Sequence, residues 1–103
     1  MYELLERGSI LDAVVCGSDR MAVGAAQEAK SRGLNIPRDL AVTGFNDSEF
    51  AQTFDPPLTT VRFPIREMGQ QAASLLLERL KGPLAPEREH LEIPLSLIVR
   101  DSS

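Results

Sequence analysis

Three short apolar runs, separated by segments with helical periodicity, constrain the fold more than any other feature of this sequence. The runs are LDAVVC (11–16), LAVTGF (40–45) and LTTVRF (58–63), and each contains β-branched side chains. Apolar residues follow one another on both faces of the first two runs, which is typical of parallel strands covered by helices on both sides. We therefore expect the first run to form a central strand of a sheet.

Helical patterns precede, separate and follow these strands. Residues 2–8 predict a short helix that stops at Gly8, and residues 48–54 predict two helical turns. A longer helix is expected between Asp19, as its cap, and Gly33. Its inner stripe is predicted to consist of Met21, Ala22, Ala25, Ala26 and Ala29. The clearest helix is expected between Pro64 and Gly82.

Apolar residues alternate near the C-terminus and predict a last strand within residues 90–100. They are Leu91, Ile93, Leu95, Leu97 and Val99. Pro94 lies among them, so we expect this strand at a sheet edge or at a bulge. The resulting order β-α-β-α-β-α-β predicts an α/β fold with a mainly parallel sheet and flanking helices.

Charge and composition argue against several functional classes. A net charge of −4 and a pI of about 4.9 do not provide the basic surface that holds nucleic acid, so the chain by itself is a poor candidate for DNA binding. No stretch is apolar enough for a membrane span, and charges occupy the positions that a signal peptide would keep apolar. We expect a cytoplasmic protein that does not associate with membranes.

The residues needed for catalysis or metal binding are scarce. Cys16 is the one cysteine and is expected to be buried, whereas His90 is the one histidine and is expected to be solvated in a charged run. The sequence has no GxGxxG, no phosphate-binding P-loop and no GxSxG motif. We therefore expect no enzyme activity, no metal site and no cofactor.

Two strand ends carry similar polar turns, CGSD (16–19) and GFND (44–47). Ligands of open α/β sheets bind at such carboxyl ends of strands. Ser18 and Asn46 offer neutral donors and acceptors, suited to sugar hydroxyls or the edge of a base, and Asp19 and Asp47 add acceptors. All four residue types also cap helices. The residues alone leave both roles open, and capping is the more common one.

Three segments resemble the C-terminal part of the LacI/GalR (lactose and galactose repressor) family of bacterial transcription regulators. They are GSDRMAVGA (17–25), residues 34–80 and PLSLIVRDS (94–102). The most specific match is DPPLTTVRFPIREMGQQAA (55–73). The resemblance implies a periplasmic-binding-protein-like (type I) fold of two lobes with a small effector in the cleft. Residues 1–103 would be a C-terminal fragment of that effector domain, without the helix-turn-helix headpiece and most of the N-terminal lobe.

The resemblance also implies a set of effector-binding residues. Ser18 stands where the family commonly has asparagine, and Asn46 stands where it commonly has aspartate. Both family residues contact the effector, and Asp19 and Asp47 are their neighbours. Phe63 and Ile65 match residues that line the same cleft. Because Asn46 is uncharged and Ser18 is short, we expect a neutral or acidic effector that differs from a plain hexose.

The predicted function is that of a ligand-controlled repressor that binds a sugar or a similar small molecule. Operator DNA would be bound only through the headpiece. In the family, the helix over 64–81 packs on the N-terminal lobe after the chain has crossed over. Its apolar face is expected to drive homodimerisation or another self-association. A sugar-binding protein of a transport system is the main alternative. A phosphoacceptor module fits less well, because no lysine ends the third strand.

Overall fold

Helices and strands alternate along the chain in the predicted order. We describe residues 1–8, 10–88 and 90–103 of a computed structural model. The elements are α1 (Tyr2–Glu6), β1 (Ala13–Val15), α2 (Asp19–Ser31), β2 (Ala41–Thr43), β3 (Thr60–Arg62), α3 (Ile65–Lys81) and β4 (Ser96–Ile98). Short 3-10 turns cover Glu49–Ala51 and Pro86–Arg88.

The strands form two small sheets. β1 and β2 pair in parallel, with Val14 opposite Val42. A parallel bridge between Thr43 and Thr59 connects the end of β2 to the segment that leads into β3. β3 and β4 pair antiparallel, with Val61 opposite Leu97. The α/β fold with parallel strands is confirmed.

The predicted position of one strand is confirmed and that of another is wrong. β4 covers Ser96–Ile98 and has β3 as its one partner among the described strands, so its expected position at a sheet edge is confirmed, although the strand is shorter than predicted and begins after Pro94. β1 is not central in this chain, because β2 is its one partner among the described strands. Val15 is 84% exposed as a result. A strand with apolar residues on both faces is therefore not necessarily covered on both faces by the same chain.

The core of the first part of the chain lies between α2 and the β1–β2 pair. Small side chains on α2 let the helix approach the sheet closely, and the buried ones are Ala22, Ala25, Ala26 and Ala29. They pack with Cys16, Leu40, Val42, Ala51 and Leu58. Met21 is exposed, so its predicted place in the inner stripe is wrong. Asp19, one turn before Ala22, takes the buried position instead.

Contacts divide the chain into two compact units. The first comprises Met1–Arg62 and Ser96–Ser103, and the second comprises Phe63–Leu95. The first unit is thus built from two separate stretches of sequence that meet in the β3–β4 pair.

The second unit is dominated by α3, which begins after Pro64 and ends before Gly82, as predicted. None of the residues 65–81 is fully buried. Ile65 and Leu76 are each 61% exposed, and Leu80 is 76% exposed. The apolar face of α3 is therefore open to solvent in the isolated chain.

No helix within the described ranges combines the length and the apolar character that crossing a bilayer requires.

Candidate functional site at the strand ends

The turns that follow β1 and β2 lie next to each other in the first unit. The backbone amide of Asp19 donates to the carbonyl oxygen of Phe45 over 3.0 Å, which joins the two turns directly. A hydrogen bond of 2.9 Å from the amide of Cys16 to the carbonyl of Thr43 continues the β1–β2 pairing up to them. Parallel strands end at the same edge of a sheet, so the four polar residues singled out from the sequence are neighbours.

Ser18, rather than Asp19, caps α2. Its backbone is extended, with φ −159° and ψ 158°, and its Oγ accepts a hydrogen bond of 3.2 Å from the amide of Met21. This is the usual geometry of a serine cap. The predicted cap at Asp19 is wrong by one residue, because that side chain points into the core. The hydroxyl of Ser18 still has its own proton to donate, and the side chain is partly exposed.

Asp19 is completely buried and connects the two turns to β3. Its Oδ1 accepts a hydrogen bond of 2.5 Å from the hydroxyl of Thr60, and its Oδ2 accepts one of 2.6 Å from the amide of Ser48. Gly44 allows this approach, since a Cβ there would lie 2.3 Å from Oδ1 of Asp19. With no exposed surface, Asp19 holds the site together and does not present its carboxylate to solvent.

Asn46 and Asp47 have an unusual backbone conformation. Their φ angles are 106° and 50°, and they are the non-glycine residues with positive φ in the described part of the chain. Such residues are uncommon and concentrate at functional sites. β3 holds both: the Asn46 amide donates to the Val61 carbonyl over 2.9 Å, and the Asp47 amide donates to Oγ1 of Thr60 over 3.2 Å.

The carboxamide of Asn46 differs from the other polar groups of the site. The side chain is partly exposed, and no residue of the described ranges forms a hydrogen bond with its carboxamide. The backbone of the same residue is firmly held, whereas its donor and acceptor remain available. An ordered turn that presents an available carboxamide is suited to binding a polar ligand.

Asp47 is bound between two arginines. Its Oδ1 accepts a hydrogen bond of 2.7 Å from Nη2 of Arg100, and its Oδ2 accepts one of 2.6 Å from Nε of Arg62. The side chain is only 5% exposed. Burial by itself raises the pKa of the Asp47 carboxyl, but the hydrogen bonds and charges of Arg100 and Arg62 outweigh it, so the pKa lies below its ordinary value. Asp47 is thus a carboxylate whose charge is matched internally.

Phe63 and Ile65 belong to the second unit. Phe63 is partly exposed and immediately precedes Pro64, and its carbonyl accepts a hydrogen bond of 2.9 Å from the amide of Ile65, the first residue of α3. The sequence-based assignment of these two residues to the site remains a prediction.

Sequence reasoning missed three residues that organise the site, namely Thr60, Arg62 and Arg100. Thr60 joins Asp19 to the amide of Asp47, and the two arginines hold the Asp47 carboxylate. The sequence predicts Thr60 within a strand, where a β-branched side chain is common and indicates no further role. Arg100 follows Asp47 by 53 positions, so no local pattern connects them. Among the described residues, no three His, Cys, Asp or Glu side chains group as a metal site.

A parallel strand pair with a helix against it and polar turns at the carboxyl ends defines a lobe of an α/β ligand-binding protein. Comparison with known proteins specifies the family. The chain belongs to the periplasmic binding protein-like domain family, whose model matches residues 3–103. Its relatives are helix-turn-helix transcriptional regulators of the LacI/GalR type, which confirms the resemblance.

Three similar proteins illustrate the match. The transcriptional regulator MalR of Streptomyces coelicolor is 50% identical over 91 residues, which cover 88% of this chain and 26% of MalR. The structure of the regulator CelR with cellobiose is 36% identical, with a TM-score of 0.85 over 99% of this chain and 31% of that chain. The lac repressor dimer bound to operator and the anti-inducer ONPF is 28% identical, with a TM-score of 0.86 over 98% and 35%. The chain therefore spans about a quarter to a third of the proteins that it matches.

Proposed function

We propose that this chain is the effector-binding and dimerisation portion of a LacI/GalR-type bacterial repressor that responds to a sugar or a sugar derivative. The observation that carries the proposal is the available carboxamide of Asn46 on a turn that β3 fixes. A fixed donor and acceptor pair suits the hydroxyl groups of a sugar, because it can bind them without paying much ordering entropy.

The charges around the two turns fit a neutral or an acidic ligand. Asp19 is buried with both carboxylate oxygens in hydrogen bonds, and Asp47 shares its one negative charge between two arginines, of which Arg62 is 54% exposed. The groups that remain for a ligand in the two turns are then Ser18 and Asn46, which are both neutral. Phe63 and Ile65 are included in the site on the family resemblance alone. The similar regulator CelR was solved with cellobiose, which supports a sugar.

The regulatory mechanism follows from the family. Effector binding in the cleft biases the closure of two lobes, and this bias reaches a DNA-binding headpiece. Operator DNA is contacted through the headpiece and not by this acidic chain. The protein acts in the cytoplasm, where the operator is located, and has no catalytic activity.

Truncation of one carboxamide tests the ligand contact. In the intact protein that contains this chain, isothermal titration calorimetry with cellobiose and sucrose, which similar regulators bind, identifies a responding sugar. Asn46→Ala is expected to lower the affinity for that sugar about tenfold. A lost hydrogen bond costs about 0.5–1.5 kcal/mol, and more when its partner stays buried. Gln52→Ala removes an exposed carboxamide outside the site and serves as the matched control. Equal affinities of the Asn46 variant and the wild type would exclude the proposed contact.

Self-association forms the second part of the proposal. α3 exposes Ile65, Met68, Leu76 and Leu80, and covering a side chain of this size contributes about 1.5–3 kcal/mol. The sum is comparable to the whole stability of a domain, about 5–15 kcal/mol. We propose that a second copy of the chain covers this face, either by exchange of α3 or by a new contact. Burial of the face should make the isolated chain at least dimeric at micromolar concentration.

A further inference from the structure

We infer that Asp47 is a positioning residue that ties the conformation of the Asn46 turn to both strands by which the chain leaves and re-enters the first unit. Arg62 is the last residue of β3, directly before the chain passes into the second unit at Phe63. Arg100 follows β4, by which the chain returns. One carboxylate therefore contacts both crossing strands, through a different oxygen for each.

Further hydrogen bonds connect Arg100 and the Asn46 turn to the segment that contains β3. Thr59 accepts a hydrogen bond of 2.8 Å from the amide of Arg100 through Oγ1, and Nη1 of Arg100 donates to the carbonyl of Leu58 over 2.8 Å. On the other side, the amide of Asn46 is held by the carbonyl of Val61. The Asp47 carboxylate is nearly buried, whereas Arg62 is 54% exposed and Arg100 is 13% exposed. Charge-assisted hydrogen bonds are strong, so this carboxylate is the common partner of both segments.

The connection has a consequence for regulation. If the Asn46 turn changes conformation on ligand binding, Asp47 moves with it, and both crossing strands experience the change at once. A coupling of this kind is reciprocal, so the state of the crossing strands also biases the turn. The link to a ligand rests on the proposed function, whereas the tie between the turn and the strands does not.

Amide hydrogen exchange and nuclear Overhauser effects of the ¹⁵N-labelled 103-residue chain test the inference without any ligand. In Asp47→Asn, we expect the amides of Asn46 and Arg100 to exchange about tenfold faster, while amides of α2 change less than about twofold. We also expect the intraresidue amide–Hα nuclear Overhauser effect of Asn46, which is strong at positive φ because the two protons lie close together, to weaken as the turn relaxes toward negative φ. Asp55→Asn is the matched control, because Asp55 forms an exposed ion pair with Lys30, and it should leave all these values unchanged.

Variants of the single arginines distinguish the contribution of the Arg62–Asp47 ion pair from that of the Arg100–Asp47 ion pair. Arg62→Gln should accelerate exchange at Asn46 and leave the Arg100 amide protected, and Arg100→Gln should affect both amides, since its own segment loses an anchor. These variants also carry the test if Asp47→Asn fails to fold. Uniform acceleration throughout the chain in every variant, or an unchanged amide–Hα Overhauser effect of Asn46, would show that Asp47 has only an ordinary structural role and would overturn the inference.

Discussion

A methyl group added at Gly44 tests whether the packing around Asp19 is as tight as the structure requires. The Cβ of an alanine at this position would lie 2.3 Å from Oδ1 of Asp19, 2.9 Å from Cδ2 of Leu58 and 3.0 Å from Cα of Asp19. Both neighbours are completely buried, and one of the three atoms belongs to the backbone. The clash cannot be relieved by rotating an exposed side chain.

The cost of Gly44→Ala follows from the two ways in which the site can respond. If the surroundings shift to make room, overpacking costs about 1–3 kcal/mol. If Asp19 moves away, it loses its hydrogen bonds to Thr60 and Ser48, at about 1.5–3 kcal/mol for each bond to a charged group. We expect Gly44→Ala to lower the free energy of unfolding by about 3 kcal/mol, which is a large part of the stability of a domain of this size.

Urea unfolding and thermal unfolding, both followed by circular dichroism, measure this change. Gly44→Ala should lower the free energy of unfolding by about 3 kcal/mol and the melting temperature by roughly 12–24 °C. Gly24→Ala is the control, because no atom lies within 4 Å of the added Cβ in the middle of α2. The free energy of unfolding of that variant should rise by about 0.5–1 kcal/mol, because alanine has a higher helix propensity than glycine. A Gly44→Ala protein within about 0.5 kcal/mol of the wild type would refute the argument for close packing.

Further predictions concern the buried polar network and the exposed helix. Thr60→Val keeps the shape but removes the donor to Asp19, and it should cost about 2–3 kcal/mol in the same urea assay. The pKa of Asp47 is lowered in the folded state, so its contribution to stability is complete above about pH 3.8 and is lost as the pH falls through the lowered value. In the wild type, the free energy of unfolding should therefore fall as the pH drops below about 4. In Asp47→Asn, this part of the pH dependence should be missing. Leu76→Gln combined with Leu80→Gln should shift the light-scattering mass toward the 11.3 kDa monomer, and an unchanged mass would argue against α3 as the self-association surface.

The sequence predicts helices more reliably than it predicts the strand partners in this chain. α2 and α3 follow from periodicity and from their terminal glycines, since both signals are local. Whether β1 is covered on both sides depends on which strands lie beside it, and a run of apolar residues does not contain that information. The direction of β4 likewise depends on a pairing between residues that are distant in sequence, such as Val61 and Leu97.

For the candidate site, the positions were predictable and the roles were less so. Both polar turns lie side by side, as expected for the ends of parallel strands, and Cys16 is buried as predicted. The sequence does not distinguish a serine that caps a helix from an aspartate that enters the core when they are adjacent. That choice depends on Thr60, which offers Asp19 a buried hydroxyl and lies on a strand that starts 41 positions later.

The division of the first unit between two stretches of sequence affects how the chain folds as it is synthesised. Ser102 is buried: its hydroxyl donates to the carbonyl of Val42 and accepts from the amide of Thr59, so it seals the junction between β2 and the segment before β3. At about 5–20 residues per second, a ribosome needs roughly two to seven seconds to pass from Arg62 to Ser96. During that interval the β3 edge and the junction at Val42 wait without their partners. The nascent first unit is thus exposed to mispairing or to chaperones for as long as the second unit takes to be made.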